Sequence, residues 1–120
     1  KILAGEPLLI FGDGTQERSF TSVDDVVTAN LKAASSSKSS GQTYNCASGI
    51  SVTIGELAVQ VAEIAGAEAP VVEFDDWTPG DIRKFDIDNS KIREDLDMEF
   101  EKDFYRGLEK NWEWFLSRSA

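Results

Sequence analysis

The sequence predicts a mixed α/β domain with short strands set between helices. Three observations carry that prediction. Short apolar runs that read as strands alternate with segments whose apolar residues recur at helical spacing. Turns bearing glycine or proline punctuate them. The length of 120 residues, with 41% hydrophobic and 28% charged, suits one globular domain with a modest core.

Leu8-Leu9-Ile10-Phe11, stopped by Gly12-Asp13-Gly14, reads as a buried strand entering a turn. Thr21-Ser22-Val23 continues extended. A helix follows from about Asp25, with Val27, Leu31 and Ala34 on its inner face and Asp24 and Asp25 capping its start. The stretch from Ser35 to Gly41 is small and polar, a surface connector. Thr43-Tyr44-Asn45-Cys46-Ala47 reads as a second strand. Thr53-Ile54-Gly55-Glu56 is a capping-box pattern, and Leu57, Val61, Ile64 and Ala65 then share a helical face that ends at Gly66. Val71-Val72-Glu73-Phe74 is extended, and Thr78-Pro79-Gly80-Asp81 is a turn. Phe85 and Ile87 alternate with charges as in a half-buried strand. A short helix runs through Ile92 and Leu96. A last one, from about Asp103, sets Phe104, Leu108, Trp112, Phe115 and Leu116 on one side.

The formal net charge is -10. No Lys/Arg stripe exists to displace counterions, which argues against nucleic acid, and the acidity argues against anionic membranes. No apolar run approaches the ~20 residues of a membrane span. The lone Cys46 excludes an internal disulfide, and with no histidine present neither His-based catalysis nor a metal site is expected. The expected location is cytoplasmic. Lys1-Ile2-Leu3-Ala4-Gly5 reads as the tail of a helix and there is no initiator Met, so the chain is expected to be a piece of a longer protein.

Arg18 alternates in step with Phe20 and Ser22, which directs it inward. An inward guanidinium needs an anion. The anion is either a diphosphate held by the planar fork or an acidic side chain of the protein. Gly12-Asp13-Gly14 either brings backbone N–H groups to a phosphate or is an ordinary hairpin turn. The rigid turn at Pro79-Gly80 can hold Asp81 and Arg83 at a cleft edge, the acid toward ribose hydroxyls and the base toward phosphate, or it is a solvated surface turn. Trp77 beside it either faces a base or packs inward. Asp24-Asp25 and Asp75-Asp76 read as caps and solvated acids, and Cys46 as a small hydrophobe.

In order, these segments resemble the extended short-chain dehydrogenases/reductases, specifically the NAD-dependent nucleotide-sugar epimerases and dehydratases. Gly12-Asp13-Gly14-Thr15-Gln16-Glu17-Arg18-Ser19-Phe20 is similar to the family's G-D-G-x-Q-x-R-D-F. Val23-Asp24-Asp25-Val26 resembles V-D-D-V. Tyr44-Asn45 with Gly49, and Thr53 to Leu57, resemble Y-N-x-x-x-G and S-x-x-E-L. Pro79-Gly80-Asp81 with Asp88, Ser90 and Lys91 resembles R-P-G-D and D-x-S-K, and Trp112 to Phe115 fits the closing helix.

The resemblance implies that residues 1–120 form one small C-terminal substrate-binding domain of such an enzyme, without the Rossmann domain. It implies Arg18, Asp81 and Arg83 as nucleotide-sugar ligands: Arg18 on the diphosphate, Asp81 at the ribose, Arg83 with a less defined contact. Three departures stand out. Thr78 replaces an expected arginine, Ser19 replaces an acid, and Asp97-Met98 stands where a glycine and an aromatic are common. The glycine-rich NAD fingerprint is missing. So is the Tyr-x-x-x-Lys pair, since neither tyrosine has a lysine four residues on. NAD and the catalytic residues are thus expected in a domain outside this chain, and the chain alone is expected to be inactive. The expected reaction of the whole protein is 4-epimerisation of a UDP-sugar of the UDP-glucose/UDP-galactose type, by a homodimer. The alternatives are a dehydratase or decarboxylase of the same family, or a standalone nucleotide-binding module.

Overall fold

The computed structural model describes residues 1–68, 70–84 and 86–119. It is a mixed α/β chain with short strands between helices, as the sequence predicts. The elements are β1 Leu8–Phe11, β2 Glu17–Phe20, α1 Val23–Ser35, β3 Ile50–Thr53, α2 Ile54–Ile64, β4 Val72–Asp75, α3 Ser90–Leu96 and α4 Phe104–Ser119. β1 pairs with β4, and β2 with β3. The chain divides into two compact units. One comprises Lys1–Arg18, Val52–Phe85 and Tyr105–Ala120; the other comprises Ser19–Ser51 and Asp86–Phe104.

In the first unit β1 and β4 run parallel, with Leu8 opposite Val72 and Ile10 opposite Phe74. Helix α2 starts on the predicted capping box. Glu56 N–H donates to Thr53 Oγ1 at 3.1 Å, and Thr53 N–H donates back to Glu56 Oε2 at 2.9 Å. Both reciprocal bonds satisfy donors that a helix start leaves open. Ala58 and Ala62 are its buried residues, and Gly66 closes it with φ 69°. A cleft of about 480 Å³ lies between the N-terminal segment, α2 and α4, lined by Ile2, Leu8, Val61, Ile64, Leu108 and Trp112 among others.

In the second unit Ala29, Ile92, Leu96, Met98 and Phe100 form a buried cluster, with Ala33, Tyr44 and Cys46 packed on it. The rings of Phe20 and Phe104 meet at 4.9 Å. α3 begins where Asp88 Oδ1 accepts from Ser90 N–H at 2.9 Å.

Several local expectations are corrected. Only Ile10 of β1 is buried, while Leu9 and Phe11 are exposed. α1 begins at Val23, and its cap is Ser22, whose hydroxyl accepts from Asp24 N–H at 3.2 Å; Asp24 and Asp25 occupy the first turn instead. Its buried residue is Ala29, and Val27 and Leu31 are exposed together with Val23. The small side chains of Ala29 and Ala33 are the ones that meet the Ile92 and Leu96 cluster.

Thr43–Ala47 is not a strand. Two of its backbone carbonyls are taken by side chains, with Asn89 Nδ2 donating to Ala47 O at 2.7 Å and Lys91 Nζ to Thr43 O at 3.1 Å. No ladder forms there, and the strand of this region is β3. Phe85 lies outside the described residues, and Ile87 is half-buried without strand structure.

Candidate functional site

The site is built on three segments of the first unit, a turn, a strand residue and a loop. The Gly12-Asp13-Gly14 turn leaves β1 with both glycines at positive φ, 83° and 78°. That region suits residues without a Cβ. Asp13 stiffens the turn from within: Thr15 N–H donates to its Oδ1 at 3.0 Å and Thr15 Oγ1 at 2.5 Å. These bonds, led by that from the Thr15 hydroxyl, hold the Asp13 carboxyl below the ordinary carboxylate range. The turn is fixed to the start of α2, where Gly55 N–H donates to Gly14 O at 2.9 Å and Ile54 N–H to Gln16 O at 3.0 Å.

Next comes Arg18 on β2. One Nη1 N–H goes to Glu17 O at 2.7 Å, the other to Ile82 O at 2.6 Å, and Nη2 donates to Asp81 Oδ1. The side chains of this ion pair are 31% and 23% exposed. Three of the five guanidinium N–H groups are thus committed, and by count two remain among the described residues.

The third segment is the loop Thr78–Arg83. Asp81 N–H closes the turn on Thr78 O at 3.0 Å, with Gly80 at φ 83°, the positive φ that a Pro-Gly turn of type II requires. Asp81 Oδ1 also accepts from Ile82 N–H at 2.9 Å. Glu17 N–H donates to Arg83 O at 2.7 Å, tying this loop to β2. The Arg83 guanidinium lies over the Trp77 ring, 4.5 Å from its centroid, and its Nη1 is 3.9 Å from Asp13 Oδ2.

Arg18 therefore shares one unit with Asp81 and Arg83, which lie more than sixty residues further along the chain. Arg18 and Asp81 touch, while Arg83 meets Trp77 and the glycine turn instead. Sequence reasoning treated Asp81 as an independent ligand and did not foresee it as the partner of Arg18. It gave Gln16 no role. Gln16 is buried and its Nε2 donates to Phe11 O at 2.6 Å, bracing the turn. The signal was its place within the glycine motif.

Cys46 is half-buried, and burial, then the Asp25 charge, push its thiol pKa up, which keeps it a protonated, weakly nucleophilic group. Asp25 accepts from Glu101 N–H at 2.9 Å, a structural contact. Among the described residues no acid, Cys or His cluster could hold a metal ion, and no helix is long and apolar enough to cross a membrane.

Residues 1–47 match the model of the NAD dependent epimerase/dehydratase family. The UDP-glucose 4-epimerase of Mycolicibacterium smegmatis is 34% identical over 98% of this chain and 37% of its own length. The dTDP-glucose 4,6-dehydratase of Streptomyces griseus is 27% identical over 95% of this chain and 34% of its own. Among solved structures, the Thermotoga maritima UDP-glucose 4-epimerase with UDP-glucose superposes with a TM-score of 0.87 at 32% identity, covering 99% of this chain and 38% of that one.

The resemblance read from the motifs is therefore present in sequence and fold, and the chain spans little more than a third of the length of these relatives. NAD is the cofactor in the family's name. The residues present do not fit it: the Gly12–Gly14 turn runs into strand β2, whereas a dinucleotide fingerprint opens a helix whose N-terminus faces the pyrophosphate.

Proposed function

We propose that this chain binds the nucleotide diphosphate of a nucleotide-sugar as the substrate-binding domain, residues 1–120, of an NAD-dependent 4-epimerase acting on a UDP-sugar of the UDP-glucose/UDP-galactose type. The reading is supported above all by Arg18. Asp81 and two carbonyls orient its fork from within the protein, which leaves donors for an incoming phosphate oxygen. Asp81 then acts in two ways, aligning Arg18 and accepting from a ribose hydroxyl, and Arg83 supplies a second positive charge. The other partners are an NAD-binding domain of the same protein and a second copy of the whole protein, in the cytoplasm. The similarity to a dTDP-glucose 4,6-dehydratase favours a dehydratase reaction as the second reading.

Calorimetric titration of the chain with UDP and dTDP tests this. UDP is expected to bind, and Arg18→Ala to weaken it about 10- to 150-fold, the worth of a charged hydrogen bond of ~1.5–3 kcal/mol. Unchanged affinity in Arg18→Ala overturns the diphosphate role. Preference for dTDP over UDP selects the dehydratase. With NAD added, the chain is expected to turn over no UDP-glucose, and measurable turnover overturns the assignment of catalysis to another domain.

A further inference from the structure

We infer that Trp77 is a positioning residue for Arg83, a platform that holds this guanidinium ready beside the glycine turn. The inference rests on the nucleotide site proposed above and adds to it how the second charge is kept in place.

Two groups meet the Trp77 ring. One is the backbone of Gly12. A Cβ built there would sit 2.7–2.8 Å from Trp77 Cδ2, Cε2 and Cε3, so the ring is seated where only a glycine admits it. The other is the Arg83 guanidinium, held over the ring 4.5 Å from its centroid. Asp13 does not fix this arginine. Its carboxylate is 3.9 Å away, beyond hydrogen-bond range, and the two side chains are 70% and 52% exposed, so water screens the pair. The ring is what remains to order the side chain.

This contact has a chemical consequence that an ion pair lacks. A guanidinium held over an aromatic face by its charge gives none of its N–H donors to an oxygen acceptor there. Arg18 has three donors committed to the protein. The Arg83 side chain has no hydrogen bond to the described residues, so its donors stay available to an oxyanion. An arginine on a free stem loses rotamer entropy when it grips a ligand, and one already stacked loses less. At Thr78, where the resembled family carries an arginine, this chain has no cation. Arg83 on its platform supplies one from five residues further on.

The test uses the whole chain and two readouts. In the ligand-free protein, the Arg83 Hδ resonances are expected upfield under the Trp77 ring current, and Trp77→Leu is expected to return them to ordinary values. By calorimetry, Trp77→Leu is expected to weaken UDP by about 2- to 5-fold, the worth of an exposed cation–π contact. Trp77→Phe should recover part of that loss. In an Arg83→Leu background, Trp77→Leu is expected to cost nothing more. Additive losses would mean that Trp77 meets the ligand on its own account, which overturns the positioning role. An absent upfield shift overturns it also, whatever UDP does. A shift present in a folded chain that binds no UDP overturns the nucleotide site itself, and the role with it.

Discussion

Substituting Gly12 by alanine separates backbone strain from steric collision, because Gly80 supplies a matched control. Both residues sit at φ 83°, where an L side chain is strained. At Gly80 an added Cβ meets nothing within 4 Å; at Gly12 it meets three atoms of the Trp77 ring under 3.0 Å. Gly80→Ala therefore carries the conformational cost alone, about 1 kcal/mol after the gain from a stiffer unfolded chain is set against it. Gly12→Ala carries the same cost plus that of moving a tryptophan off its seat, which as overpacking adds ~1–3 kcal/mol.

The expected losses are thus about 1 kcal/mol at Gly80 and ~2–4 kcal/mol at Gly12. At roughly 4 °C per kcal/mol for a chain of this size, the midpoints fall by about 4 °C and ~8–16 °C. Urea and thermal unfolding followed by far-ultraviolet circular dichroism give both values without relying on the fluorescence of the displaced ring. Equal losses at the two glycines would show that Trp77 does not rest on Gly12, and the platform beneath Arg83 would go with it.

The other expectations are simpler. Leu96, 6% exposed in the cluster with Ile92 and Met98, is expected to cost ~2–5 kcal/mol when cut to alanine, measured by urea unfolding; a loss under 1 kcal/mol would mean that α3 is not part of a close-packed core. Bonds from the Thr53 backbone N–H, then from its hydroxyl, hold the Glu56 carboxyl below its ordinary value of 4.5. A folded pKa below the unfolded one stabilises above the unfolded value and is lost as pH falls through the folded value. Glu56→Gln is expected to flatten the loss of stability below pH 4.5, and an unchanged acid limb would refute the reciprocal cap.

What was legible in the sequence was local. The capping box needs only Thr53 and Glu56 three residues apart, and the Thr78–Asp81 turn needs only its own Pro-Gly. The exposed stripe of α1 shows why the rest was not. Periodicity finds an apolar side of a helix, but not the neighbour that covers a side. Here the neighbours are Ile92 and Leu96, some sixty residues on, and they take Ala29 while Val27 and Leu31 stay exposed. Thr43–Ala47 has strand-like residues, but Asn89 and Lys91 take the carbonyls at its two ends. The alternation around Arg18 called for an anion facing it. That Asp81, 63 residues away, answers this call follows only from the three-dimensional path of the chain.

The interleaving of the two units has a consequence for dissecting this molecule. Each is assembled from separated stretches, and the backbone passes from one to the other four times, at residues 18–19, 51–52, 85–86 and 104–105. No single cut releases either unit whole. Trimming both ends back to Ser19 and Phe104 keeps every segment of the second unit but leaves Val52–Phe85 of the first stranded in the middle. Deletion mapping would therefore mislead here, because trimming a terminal segment of the first unit leaves other segments of that unit behind, and no truncation removes the second unit without cutting into the first. Point substitutions inside each unit are the means of assigning a property to one or the other.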